Sequence, residues 1–175
     1  MTQQEALTKR FGDGVVQEVD WDRVYVEQLP RIFNFFRFRI RSQQDVEDLT
    51  ARTFEKAWAA RARYRHDVAG FTTWLLSIAR NVAIDHLRAR QNLVPIDVAI
   101  DIAAEGTPEA DAMQGSDIAR LIQLTQDLPE RERELLALKY GAATTNRLIA
   151  QLTGLSESNV GTILSRTVDK LRSQW

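Results

Sequence analysis

Between Phe71 and Arg90 the chain reads FTTWLLSIARNVAIDHLRAR, and its polar side chains are of types that handle nucleic acid. At about 100° per residue, Thr73, Ser77, Arg80, Asn81 and Arg88 share one helical sector, with Trp74 on its border. Arginine grips phosphate, asparagine and hydroxyls hydrogen-bond base edges, and an indole stacks on an unpaired base. A helix needing only solubility would more commonly scatter Glu and Lys over such a face. A core helix with an arginine-rich solvent side is the plainer alternative, and this segment alone leaves both open.

A second cluster is acidic. Asp45, Asp48, Arg52 and Glu55 recur at i, i+3, i+7 and i+10, with Glu47 adjacent, which puts them along one side of a helix. Crowded carboxylates could do acid–base work, but no His, Cys or Lys is placed to complete a nucleophile–base pair. They read as a docking or solvated face, and the chain is not expected to be an enzyme. Cysteine is absent, which excludes disulfides and thiolate metal sites. His66 and His86 are the only imidazoles and are not spaced as metal ligands, so no cofactor is expected.

A third constellation runs from Asn146 to Arg172 with the spacing of a helix-turn-helix. Ala150 stands where two helices pack closely, Gly154 suits a left-handed turn, and Val160 and Ile163 return the second helix to the first. Ser156 suits its N-cap, with Glu157 in the first turn. An ordinary helical hairpin with a glycine turn is the bland reading. The functional one aims Ser158, Asn159, Thr162, Ser165 and Arg166 at a DNA major groove and gives Thr145 and Arg147 phosphate contacts. Gly161 and Ile163 stand where a recognition helix could carry Lys or Arg, so counterion release should contribute little and this part should bind DNA weakly by itself.

The elements that must position these groups are all helical. Tyr25, Leu29, Ile32, Phe33, Phe36 and Ile40 recur at helical spacing, and Pro30 is expected to open a second helix within that run. Ser42 followed by Asp45 resembles a capping box, opening a helix with Val46, Leu49, Thr53, Phe54 and Ala57 inward. Arg61, Arg63 and Arg65 lead through Gly70 into the helix at Phe71, whose apolar stripe is Phe71, Trp74, Leu75, Ile78, Ala79 and Val82. Pro129 suits a first helical position, followed by Glu130, Glu132 and Glu134 at the positive helix end, and Gly141 suits its stop.

Charge is segregated along the 175 residues. The net value of −1 conceals +6 between Arg23 and Gln91, −6 between Asn92 and Asp117, and +2 beyond. The acidic stretch holds Pro95, Gly106, Pro108 and Gly115 and keeps no helical period, so it reads as a flexible linker. The expected organisation is all-α: an N-terminal tail over 1–20, a helical domain over 21–91, the acidic linker over 92–117, and a second helical domain over 118–175. The start has no apolar region behind its charges, and no apolar run is long enough to cross a bilayer. A soluble, cytoplasmic protein without membrane insertion is expected.

Four blocks carry a resemblance: DVEDLTARTFEKAW (Asp45 to Trp58), FTTWLLSIARNVAIDHLRAR (Phe71 to Arg90), LPERERELLALKY (Leu128 to Tyr140) and LIAQLTGLSESNVGTILSRTVDKLR (Leu148 to Arg172). In this order and spacing they resemble a bacterial RNA polymerase sigma factor of the extracytoplasmic-function type. The resemblance implies two small helical domains, named region 2 and region 4, in a protein that works as a subunit of RNA polymerase. It implies that Asp45, Glu47, Asp48, Arg52 and Glu55 dock on core polymerase, through the clamp helices of the largest subunit, with a further contact to the flap. Region 2 would melt the minus-ten promoter element, with Trp74 and Asn81 near the opened strand, Arg80, Arg88 and Arg90 on phosphate, and Arg63, Arg65 and Ser77 also contacting DNA. Asp85 would pair internally with Arg88. The second helix of the C-terminal motif would read the minus-thirty-five element, and the linker would thread the polymerase channels. An anti-sigma partner is implied as well. Ala51 and Arg52 depart from the Gln and acid that commonly follow EDLT in the family. A stand-alone helix-turn-helix regulator would explain Asn146 to Arg172 but not the Arg- and Trp-bearing helix before the linker.

Overall fold

A computed structural model describes residues 19–93 and 117–175, so the expected tail up to residue 18 and the linker over 94–116 lie outside the described residues. The described residues form helices without strands. In the N-terminal half these are α1 (Trp21–Arg39), α2 (Gln43–Ala59) and α3 (Phe71–Leu93), with one 3-10 turn at Arg61–Arg63. The C-terminal half has α4 (Asp117–Gln126), α5 (Glu130–Leu136) running into a π turn at Ala137–Gly141, α6 (Asn146–Thr153) and α7 (Glu157–Gln174).

Local chemistry sets most boundaries. Asp20 caps α1 by accepting from the Arg23 N–H at 3.2 Å, and Ser42 caps α2 by accepting from the Asp45 N–H at 3.2 Å. In the C-terminal motif Thr145 and Ser156 cap α6 and α7 in the same way, from Leu148 and Asn159. Gly154 between them adopts φ 74°, the left-handed conformation that glycine reaches without steric cost.

Both expected proline helix starts differ from the structure. Pro30 does not open a new helix, because α1 runs unbroken through it. Its ring lies on an exposed side, next to solvent-facing Val26, where the carbonyl it leaves unbonded can be hydrated. Pro129 stands one residue earlier than expected, at the N-cap of α5 with an extended ψ of 145°.

The two halves share one continuous apolar core. Ile32, Phe35 and Phe36 of α1, Leu75, Leu76 and Ala79 of α3, and Leu135, Leu138 and Ile149 of the C-terminal half belong to it, all fully buried. Each of the Ile, Leu and Phe side chains contributes roughly 1.5–3 kcal/mol on leaving water. The backbones also approach closely where the π turn meets α1. A Cβ on Gly141 would stand 2.8 Å from the Asn34 carbonyl oxygen, so glycine is what the packing admits there. Beside it, Arg31 Nη1 donates to the carbonyl oxygens of Ala142 at 3.1 Å and Ala143 at 3.4 Å.

Candidate nucleic-acid interface

Helix α3 buries Leu75, Leu76, Ala79, Val82 and Ala83, a face rotated from the expected stripe, whose Phe71, Trp74 and Ile78 are only half-buried. It packs against α1 and α2 and also against α6 of the C-terminal half. The polar sector is consequently divided. Asn81 and Arg88 are exposed, while Thr73, Ser77 and Arg80 are half-buried. Ser77 Oγ donates to the Trp74 carbonyl oxygen at 2.6 Å, a bond inside its own helix.

Trp74 stands in an aromatic cluster. Its ring centroid lies 5.0 Å from Tyr64, 5.4 Å from Phe71 and 6.5 Å from Trp21, and Trp21 meets Trp58 edge-on at 5.3 Å. The contacts are edge-to-face except for the tilted Tyr64–Trp74 pair, and such aromatic pairs add to the stability of burial and fix ring orientation. Burial raises the Tyr64 hydroxyl above its ordinary pKa of 10. Trp58 is half exposed, and the Arg61 guanidinium lies 4.1 Å over its ring. The cluster anchors the base of the arginine-bearing loop. Arg63 and Arg65 are exposed on that loop, and Arg65 forks onto Asp67 with bonds of 3.2 Å and 2.7 Å. Hydrogen bonding from Arg65 holds the Asp67 carboxyl below the usual carboxylate pKa.

The acidic side of α2 faces solvent. Glu47, Asp48, Arg52 and Glu55 are exposed, and Glu47 accepts from Gln43 Nε2 at 2.9 Å. Asp45 is half-buried and joins the two candidate surfaces, with Arg90 Nη1 at 3.3 Å and His86 Nε2 at 3.6 Å from its Oδ2. The pair expected between Asp85 and Arg88 is not formed; the neighbouring side chains of α3 turn to Asp45 instead.

In the C-terminal motif, Ser158, Asn159, Thr162, Ser165 and Arg166 all lie exposed on α7, opposite buried Val160, Leu164, Thr167 and Leu171. Arg147 is exposed on α6. Thr145 uses its hydroxyl oxygen on the α6 cap, which leaves the hydroxyl proton for an outside acceptor.

One residue of consequence, Arg39, and one contact, that of Arg80 with Glu134, are not foreseen from the sequence. Arg39 is 2% exposed, and its guanidinium pairs with Glu130 and Glu134 of α5. Arg80, read as a phosphate ligand, donates from Nε to the same Glu134 at 2.8 Å. The signal was a charge at the buried position of the stripe Ile32, Phe35, Phe36, which local periodicity treats as a break.

Comparison with known proteins bears on both halves. Residues 24–93 match Sigma-70 region 2, and residues 118–171 match Sigma-70, region 4. RNA polymerase sigma-H factor of Pseudomonas aeruginosa is 31% identical over 146 residues, covering 77% of this chain and 69% of that protein. The probable RNA polymerase sigma factor RfaY of Xanthomonas campestris pv. campestris is 33% identical over 135 residues, covering 73% of this chain. The chain spans 33% of the length of RfaY. Among solved structures, the sigma factor RpoE of Bartonella quintana, in complex with the anti-sigma factor NepR, shares the fold at a TM-score of 0.66. The match has 22% identity and covers 88% of this chain and 95% of that one.

Proposed function

The chain belongs to the sigma-70 family, of the extracytoplasmic-function type, and on that premise we propose that it directs core RNA polymerase to specific promoters and holds the minus-ten element open. The observation that carries this is the pairing of two surfaces on one chain. One is the arginine loop and aromatic cluster leading into α3, within the region 2 match; the other is the exposed polar face of α7, within the region 4 match.

On this reading, residues 21–91 form the core-binding and minus-ten domain and residues 118–175 the minus-thirty-five domain. Glu47, Asp48, Arg52 and Glu55, with Asp45 at their edge, dock on the polymerase clamp helices, where charge complementarity sets encounter rate and register. The C-terminal domain meets the flap. Trp74, Ser77 and Asn81 face unpaired bases, while Arg63, Arg65, Arg80, Arg88 and Arg90 hold backbone. Ser158, Asn159, Thr162, Ser165 and Arg166 read the duplex, with Thr145 and Arg147 on phosphate. The protein acts in the cytoplasm as a binding subunit without chemistry of its own. Its partners include an anti-sigma protein, the kind of molecule with which RpoE of B. quintana was crystallised. Among the described residues no helix is long and apolar enough to cross a membrane.

Run-off transcription tests the proposal. The chain added to bacterial core polymerase should yield transcripts with defined starts on a genomic template. DNA binding without any transcript would favour a stand-alone regulator.

A further inference from the structure

Two arginines of the N-terminal half converge on carboxylates of the C-terminal half. Arg39 Nη1 lies 3.3 Å from Glu134 Oε1, and Nη2 donates to Glu130 Oε1. Arg80 Nε donates to the same Glu134 oxygen at 2.8 Å. The Arg39 guanidinium is centred 5.5 Å from the Phe35 ring, and its Nε is buried without a hydrogen-bond partner. Glu134 itself is 12% exposed.

Stability alone does not call for this arrangement. A buried ion pair is often matched or bettered by apolar side chains of similar volume, whereas losing one partner leaves a costly unpaired charge. The arginines also sit where a second anion would compete, since Arg80 belongs to the polar sector of α3.

We propose that Arg39 and Arg80 form a single oxyanion site, occupied by Glu134 in the closed chain and by a backbone phosphate of DNA once the halves separate. A phosphodiester presents two unbridged oxygens, as a carboxylate does, and the guanidinium fork addresses either. Helix α5 is then an internal competitor for DNA. Coupling is reciprocal: closing the halves lowers DNA affinity, and DNA that takes the arginines favours opening. The inference rests on α3 contacting DNA, and adds Arg39 as a ligand and Glu134 as its stand-in.

The chain of 175 residues allows a direct test, because its lack of cysteine lets dyes be placed through Ala59→Cys and Lys170→Cys, both exposed positions. Energy transfer between the dyes reads the separation of the halves. Fluorescence anisotropy with a labelled duplex carrying an unpaired bubble reads DNA binding. Glu134→Gln should lower transfer and tighten DNA binding about ten-fold, the scale of one lost charge-assisted bond. Arg39→Met in the Glu134→Gln background should remove that gain, with helicity by circular dichroism checking the fold. If the methionine variant fails to fold, Arg39→Lys, which keeps the charge but loses the fork, makes the same comparison. An affinity unchanged in Glu134→Gln, with the halves open or closed, overturns the site, as does a gain that survives loss of the Arg39 fork. Run-off transcription separates this from the parent reading: a wild-type chain that initiates while Glu134→Gln shows no gain loses only the phosphate site. No transcript from the wild type would instead remove the sigma function.

Discussion

Asp45 Oδ2 lies 3.3 Å from Arg90 Nη1, so a carboxylate on the acidic side of α2 is held by an arginine at the end of α3. The side chains are 32% and 47% exposed, and His86 stands 3.6 Å from the same oxygen. The proposed polymerase-facing and DNA-facing surfaces therefore meet at one ion pair. Exposed pairs of this kind contribute roughly 0–1 kcal/mol, little enough for either partner molecule to break.

Asp45→Asn should accordingly change the unfolding free energy in urea by less than about 1 kcal/mol. Co-purification with core polymerase should weaken in the same variant. A variant that loses several kcal/mol of stability, yet retains core polymerase fully, would make Asp45 a structural residue.

Gly141 gives a sharper steric prediction. A methyl there would meet Asn34 O at 2.8 Å, Asn34 C at 3.0 Å and Phe35 Cα at 3.1 Å, all backbone atoms of α1 that cannot swing aside. Gly141→Ala should cost about 1–3 kcal/mol or push the halves apart, the usual range for overpacking. A methyl on Gly70 would meet nothing within 4 Å, so Gly70→Ala serves as the comparison and should leave the urea midpoint nearly unchanged.

How far these features can be read from sequence depends on whether their cause is local. Ser42, Ser156 and Gly154 act within a few residues of themselves, through caps and a left-handed turn, and their roles follow from the residue types, whereas Thr145, read only as a phosphate contact, also caps α6. The exposed face of α7 likewise follows from helical period. Pro30 misled because a helix can run through a proline where the carbonyl it frees meets solvent, and that exposure is not visible in the local sequence. The close packing of the two halves left no local trace. Arg39 and Glu134 are 95 residues apart, and nothing near either announces its partner. The aromatic cluster was half legible: Trp74 stood out on its helix border, but Trp21 and Tyr64 meet it from other elements and Trp58 joins through Trp21.

The turn of the C-terminal motif should depend on Gly154 through backbone strain alone. Its φ is 74° and no atom lies within 4 Å of a methyl placed there. Gly154→Ala should cost roughly 1–2 kcal/mol, the penalty of the left-handed conformation for a residue with a Cβ. Ser156→Ala should cost about 1 kcal/mol by leaving the Asn159 N–H uncapped. Chemical unfolding of each variant checks both, and a Gly154→Ala chain as stable as the wild type would contradict the strain argument.

Promoter opening can be separated from folding at Asn81 better than at Trp74. Trp74→Ala removes an indole that packs on Tyr64 and Phe71, so it loses aromatic packing of roughly 0.5–1.5 kcal/mol per pair together with any contact to DNA. Asn81 is exposed, and surface substitutions of this kind change stability by about 0.5 kcal/mol or less. Asn81→Ala should leave the urea midpoint and core binding unchanged while lowering permanganate reactivity of unpaired thymines at the minus-ten element. Trp74→Phe, which keeps a ring in the cluster, should fall between wild type and Trp74→Ala. Full thymine reactivity in both Asn81→Ala and Trp74→Ala would place the opened strand elsewhere on region 2, away from the exposed sector of α3.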